Sequence, residues 1–210
     1  MQLTIFGASG RTGIPLVEQG LAAGHRITAL VRTPAKLAIP HEALQIIQGD
    51  VTRAEDVARA ISGSTDAVIV ALAPASNNDA DMLPVAAQHI LAAMRAHGTK
   101  RVIWMTGAGV PAPEDKPGVP DRIIKLLLTL LSGAVLAKSE AAVNLVRASD
   151  RDWTVVRGPR LLDGPATGTI RAGWVGVGTG TQLVRADAAA FMLRQLESNE
   201  YLRLAPAISN

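Results

Sequence analysis

The chain has 210 residues and 48% hydrophobic content, enough for one sizeable α/β core with no second domain required. It contains no cysteine, which excludes disulfides, thiolate catalysis and a cysteine-ligated metal. The formal charge is only +3, and the basic residues are dispersed in a chain with 3% aromatics, so the footprint for nucleic acid is poor.

Residues 2–36 read QLTIFGASGRTGIPLVEQGLAAGHRITALVRTPAK. An apolar run is followed by a Gly-x-x-Gly-x-x-Gly turn at Gly7, Gly10 and Gly13, a helix-like stretch and a second apolar run. This order of strand, turn, helix and strand predicts a dinucleotide-binding unit. Gly7 ends the strand where the backbone must turn, Gly10 lets the main chain approach a pyrophosphate, and Gly13 lets the helix lie close on the strand. Ser9, Arg11 and Thr12 add donors beside the free amides of a helix start, which attracts anions. The second strand, 26–31, ends where an adenosine ribose should lie. An NAD-specific chain usually places an acidic residue there, about 20 positions past the glycines. This one has Arg32, with Lys36 a turn later. A guanidinium suits a 2′-phosphate, so NADP(H) is favoured over NAD(H), the plainer alternative being that both are solvated loop charges.

Further strands are predicted at 44–48, 66–72, 101–106 and 153–156, and helices at 52–61, 81–97, 137–149 and 186–197. Such alternation gives a Rossmann-like, doubly wound parallel sheet with helices on both faces, here as a single NAD(P)-binding domain over 1–210. Ligands should gather at the carboxyl ends of its strands. The apolar stretch 123–131 is too short, and too interrupted by Lys125, for a membrane span of about 20 residues. It reads as a buried helix or a pocket lid, with a partner surface as the alternative. The glycine-rich tail from Gly164 reads as a small C-terminal substrate-side excursion, with Trp174 a candidate stacking surface. His25, His41, His89 and His97 lack metal-ligand spacing, and no metal site is expected. Asp79, Asp81, Glu114 and Asp115 read as solvated loop charge. No signal peptide is visible, so a cytoplasmic protein is expected.

The strings TIFGASGRTG, VRTPAKL, QGDV, DAVIVALA, AAMRAHGTKRVIWMTGAG and DWTVVRGPRLLDGPATG, in that order, resemble the NAD(P)H-binding atypical short-chain dehydrogenases. Within that NmrA-like superfamily the likeness is to the flavin reductase, or biliverdin-IXβ reductase, type, and it runs from Gln2 to about Glu197. The resemblance implies a monomer that binds NADP(H), with the substrate over the nicotinamide in an open pocket. It implies pyrophosphate contacts at Gly7, Gly10, Arg11, Thr12 and Gly13, and a 2′-phosphate contact at Arg32. It places the adenine at Asp50 and Val51, the ribose side at Ala71, Leu72 and Ala73, and the nicotinamide side at Thr106.

Ordinary short-chain dehydrogenases pass a proton through a Tyr-x-x-x-Lys pair. The only tyrosine here is Tyr201, no lysine follows it at that spacing, and the position four before Lys138 is Ala134. The resembling reductases often carry a histidine where Ser139 stands, a second hydroxyl at Gly107 and a proline at Gly158. Thr106, Lys138 and Ser139 are the candidate catalytic residues, with a solvated helix face the alternative for the last two. Reduction of a flat acceptor such as FMN, another flavin or a quinone tolerates a missing tyrosine, because the proton can come from water. The expected function is therefore an NADPH-dependent reductase of such small molecules. The alternative is a non-catalytic NADP(H) sensor that reports to a protein partner.

Overall fold

In a computed structural model that describes residues 1–210, the first half of the chain runs β1 (Gln2–Phe6), α1 (Gly13–Ala22), β2 (Arg26–Val31), β3 (Leu44–Gln48), α2 (Ala54–Ala60), β4 (Ala67–Val70), α3 (Met82–Ala96) and β5 (Arg101–Gly107). It continues through α4 (Val119–Arg147), β6 (Asp152–Gly158), β7 (Arg160–Leu162), β8 (Arg171–Gly173), β9 (Gln182–Val184), α5 (Arg185–Arg194) and β10 (Ala207–Ser209). A strand covered on both faces reads as a continuous apolar run. β4, AVIV, is buried at every position, and β1 is buried from Leu3 to Phe6.

Eight strands form one sheet in the order β3-β2-β1-β4-β5-β6-β10-β8, parallel except where β8 joins β10. Alternate side chains feed two cores. Phe6, Val68, Val70, Trp104 and Val155 pack under α2, α3 and the second half of α4. Leu3, Ile5, Ile69, Ile103 and Val156 pack under α1 and α5. Each such side chain contributes about 1.5–3 kcal/mol through burial, which holds the strand ends in fixed register. From β1 the chain moves outward to β2 and β3, then returns across β1 to β4, so the sheet's order reverses between β1 and β4. Open α/β sheets bind their ligands at that crevice, where the Gly7–Gly13 turn lies.

Several elements differ from expectation. The apolar stretch 123–131 is neither short nor buried: it continues into the helix of Lys138 as one 29-residue helix, α4, bent at Ser132 (φ −142°, ψ 35°). By length and composition alone α4 could cross a membrane, but its second half buries Ala142, Val143 and Val146 in the core. Its first half shows Val119, Ile123, Leu126, Leu127, Leu130 and Leu131 to solvent at 51–75% exposure. The tail is more than an excursion. β10 and β8 extend the main sheet, β7 and β9 pair beside it, and α5 docks on α1, with the Gln19 side-chain amide donating to the Ala186 carbonyl at 2.9 Å.

Candidate functional site

The glycine turn has the backbone that a bound pyrophosphate requires. Gly7 sits at φ +85°, and a Cβ there would run into the Ala71 carbonyl at the end of β4. A Cβ on Gly13 would meet the Gly7 carbonyl and, at 2.7 Å, the Ala8 Cα, so the glycine lets α1 start against β1. Gly10 donates to the Gly7 carbonyl at 3.0 Å and closes the turn. The amides of Arg11, Thr12 and Gly13 make no hydrogen bond within the chain, and the first turn of α1 holds no acidic residue. Three free donors at a helix N-terminus are an anion site in charge and in shape. Arg11 is exposed and reaches Asp163 at 3.6 Å, which also pairs with Arg185 at 2.6 Å, so the turn is linked to the chain beyond β7.

Arg32 lies exposed at the end of β2 with no partner for its guanidinium, and Lys36 is exposed in a short 3-10 turn at Pro34–Lys36. Asp50 stands at the matching end of β3, close enough to feel the charge of Arg32. Its carboxylate takes the Thr52 amide at 2.8 Å and the Thr52 hydroxyl at 2.7 Å, while its own amide donates to Asp56. The hydrogen bond from the Thr52 amide, above all, holds the Asp50 carboxyl below the usual range. Asp50 therefore shapes this loop through Thr52, while Val51 is buried and packs into the core. His89 on α3 is half-buried and bonds the Val51 carbonyl at 3.2 Å, tying the same loop to the core. Ala71, Leu72 and Ala73 follow β4 beside the glycine turn, which places both segments at one edge.

Two strands along from β1, the ends of β5 and β6 open into a cavity of about 900 Å³. Gly107 to Ala112, Gly158 to Arg160, one side of α4 from Asp121 to Ser139, and the segment Thr179–Gln182 enclose it. Thr106 lies half-buried just before Gly107, with no hydrogen bond on its hydroxyl. Ser139 lines the cavity, as does Ser132 at the bend of α4. Lys138 does not: its ammonium turns to Asp81 before α3, at 2.5 Å. Trp174 is half-buried and outside the lining, so it is no stacking wall. Tyr201 packs against Phe191 with the rings tilted by 47° and their centroids 5.8 Å apart, away from the cavity.

Of the carboxylates read as solvated charge, Asp79 and Asp81 are exposed, but Glu114 and Asp115 need correction. Asp81 carries the Lys138 pair, and Glu114 has a buried Oε2 without a partner. Asp115 takes both ends of the fully buried Arg157 guanidinium at 2.7 Å and the amides of Ala112 and Val175 at 2.8 and 3.0 Å. Arg157 also donates to the carbonyls of Val110 and Ala205. Burial alone would push Asp115 up, but these hydrogen bonds, foremost those of Arg157, hold its carboxyl below the usual range. One ion pair thus fixes the loop after β5, the Val175 segment and the end of β6 as cavity walls. Asp187 does the same for the tail: it accepts the Thr167 and Gly168 amides, the Thr167 hydroxyl and the Asn210 side chain.

Comparison with known proteins agrees with this geometry. A family described as NAD(P)H-binding matches residues 7–199. A 3-diazoavenalumate denitrifying reductase of a Streptomyces species is 30% identical over 187 residues, covering 82% of this chain. The chain spans only 60% of that relative's length. Among solved structures, a short-chain dehydrogenase/reductase of Veillonella parvula in complex with NADP superposes with a TM-score of 0.80 at 20% identity, covering 100% of this chain and 94% of the other. The oxidoreductase ylbE of Lactococcus lactis gives 0.82 at 19% identity, covering 100% and 91%. These two establish the likeness of fold.

Proposed function

The chain belongs to the NAD(P)H-binding family, among the atypical short-chain dehydrogenases of the NmrA-like group, and from that premise we propose that it is an NADPH-dependent oxidoreductase acting on flat, electron-poor acceptors such as flavins or quinones. The observation that carries this reading is the cavity: about 900 Å³, walled largely by apolar side chains and glycines, on the same sheet edge as the anion-binding turn, and without a tyrosine. Bound NADPH would supply a hydride. The chain's own work is then binding and orientation. The Arg11–Gly13 amides would hold the pyrophosphate and Arg32 the 2′-phosphate, with Lys36 beside it. Val51 and Ala71–Ala73 would flank the adenosine, and Thr106 would stand nearest the reacting end. The Ser139 hydroxyl can hydrogen-bond an acceptor in the cavity, whereas Lys138 is held by Asp81 and has no catalytic part. Water would provide the proton that accompanies the hydride, since no acid with a positioned proton faces the cavity. That a relative is named as a reductase of a diazo compound is in keeping, because a diazo group is also an electron-poor acceptor. The protein would work in solution in the cytoplasm as a monomer.

The test is steady-state NADPH consumption with and without FMN, and with a small quinone, using NADH as the control. Saturable, acceptor-dependent oxidation that prefers NADPH is expected. Tight NADPH binding with no turnover of any acceptor would overturn the proposal and leave a sensor.

A further inference from the structure

Given the reading of the cavity as the acceptor site, we infer that the acceptor carries an oxyanion, a carboxylate or phosphate, and that Arg160 and Lys125 select it at the cavity wall. The charges lining the cavity are unequal in kind. Its two carboxylates are already engaged: Asp115 by the buried Arg157, and Asp121 by the Gly118 amide at 2.9 Å at the start of α4. Its three cations, Arg122, Lys125 and Arg160, have neither an ion-pair nor a hydrogen-bond partner for their side chains. Elsewhere the chain pairs many of its cations: Arg53, Arg59, Arg95, Lys138, Arg151, Arg157 and Arg185 all meet a carboxylate. Three unpaired cations around an otherwise apolar cavity give it a positive field and unused donors, which attract and orient an anion.

Arg160 is the fixed member. It begins β7 directly after Pro159, its amide donates to the Thr181 carbonyl, and it is in register with Gln182, another lining residue. Lys125, on α4, lines the same cavity. A ring lying between Leu128, Leu136 and the glycines of β5 and β6 would then extend its oxyanion toward the two cations. A guanidinium can meet both oxygens of such a group, and an ammonium adds a point charge.

FMN and riboflavin share one ring system and differ by a phosphate, so they isolate the claim. Each is titrated into NADP+-saturated protein by flavin fluorescence, which keeps the cofactor's own phosphate sites filled, and NADPH oxidation is measured in parallel. FMN is expected to bind about tenfold tighter than riboflavin, the scale of a charge-assisted contact, with the margin shrinking as salt rises. In Lys125→Gln/Arg160→Gln the margin should fall to about twofold with riboflavin affinity unchanged, while Arg160→Lys keeps part of it. Both residues are exposed and unpaired, so an unaltered melting temperature verifies the fold of each variant. Equal affinity for the two flavins, no binding of either, or a margin that survives the double substitution overturns the inference. A charge-dependent margin without NADPH oxidation by either flavin or the quinone leaves the inference standing and defeats the reductase reading; equal affinity for the two flavins with turnover of both does the reverse.

Discussion

Arg32 and Asp115 are both single charged side chains, yet only one could be recognised along the sequence. Arg32 could, because the distance from the glycine turn to the end of the next strand is set by the strand-turn-helix-strand unit itself, and its guanidinium stays unpaired in the folded chain. Arg32→Ala is therefore expected to weaken NADPH roughly ten- to a hundredfold, the scale of one charged contact, and to leave NADH nearly unchanged. Fluorescence titration with both cofactors checks it, and equal losses for the two would refute the 2′-phosphate role. Asp115 could not be read, because its partner Arg157 lies 42 residues away and nothing in local pattern links a loop carboxylate to a strand arginine. Asp115→Asn leaves Arg157 charged, fully buried and short of its counter-ion, a change that costs about 3–5 kcal/mol. For a domain of this size that lowers the melting temperature by on the order of 10 °C. A melt within 2 °C of wild type would show that the pair is not what holds the cavity walls.

Among the elements, the glycine turn was legible in full and the tail only in its helix, predicted at 186–197 and found at Arg185–Arg194. Strands β1, β4, β5 and β6 are largely buried apolar runs between helices, and their composition announces them, while the edge strand β3, LQIIQ, is only half-buried. β7 to β10 are three residues each, stabilised by pairing to strands distant in sequence, so they leave no periodic signature. Along the sequence α4 reads as two pieces, the stretch 123–131 and the helix 137–149, because its two ends meet different surroundings, mostly solvent before the bend at Ser132 and the core toward its C-terminus. Two substitutions separate these kinds of element. Gly13→Ala sets a methyl against the Gly7 carbonyl and should weaken NADPH and NADH alike, unlike Arg32→Ala, because it displaces the helix start that both cofactors need. Cofactor affinities equal to wild type would mean that the turn can relax around the methyl. In α4, Leu130 and Leu131 are 73% and 75% exposed, so the double change to serine should alter stability by no more than about 0.5 kcal/mol per site. A larger fall in melting temperature would reveal that this row is covered in solution.

The response of the whole molecule to acid follows from the direction in which its buried carboxylates are shifted. The Thr52 amide, before other effects, holds Asp50 below its ordinary value. Burial would raise Asp115 and Asp187, but Arg157 with two amides, and Thr167 with Gly168 and Asn210, more than offset it, so both also lie low. A carboxylate whose pKa is lower folded than unfolded contributes stability that is present above the unfolded value of about 3.9 and is lost as pH falls through the folded value. His25 acts in the same sense: burial, then the N-terminal ammonium, lowers it, so the folded chain resists protonating it and loses a little stability below the unfolded value of about 6.5. The melting temperature should therefore stay level from pH 8 to 7, decline gently from pH 6.5 to 5, and fall steeply below pH 4. Asp187→Asn should flatten the steep part, since it removes one of the carboxylates that take up a proton on unfolding, while lowering stability at pH 7, where the carboxylate is fully engaged. Calorimetry at intervals between pH 3 and 8 reads both effects. A stability that held level to pH 3 would mean that the Arg157 and Thr167 contacts do not lower their carboxylates, and with that the account of how the cavity walls are fixed would fail.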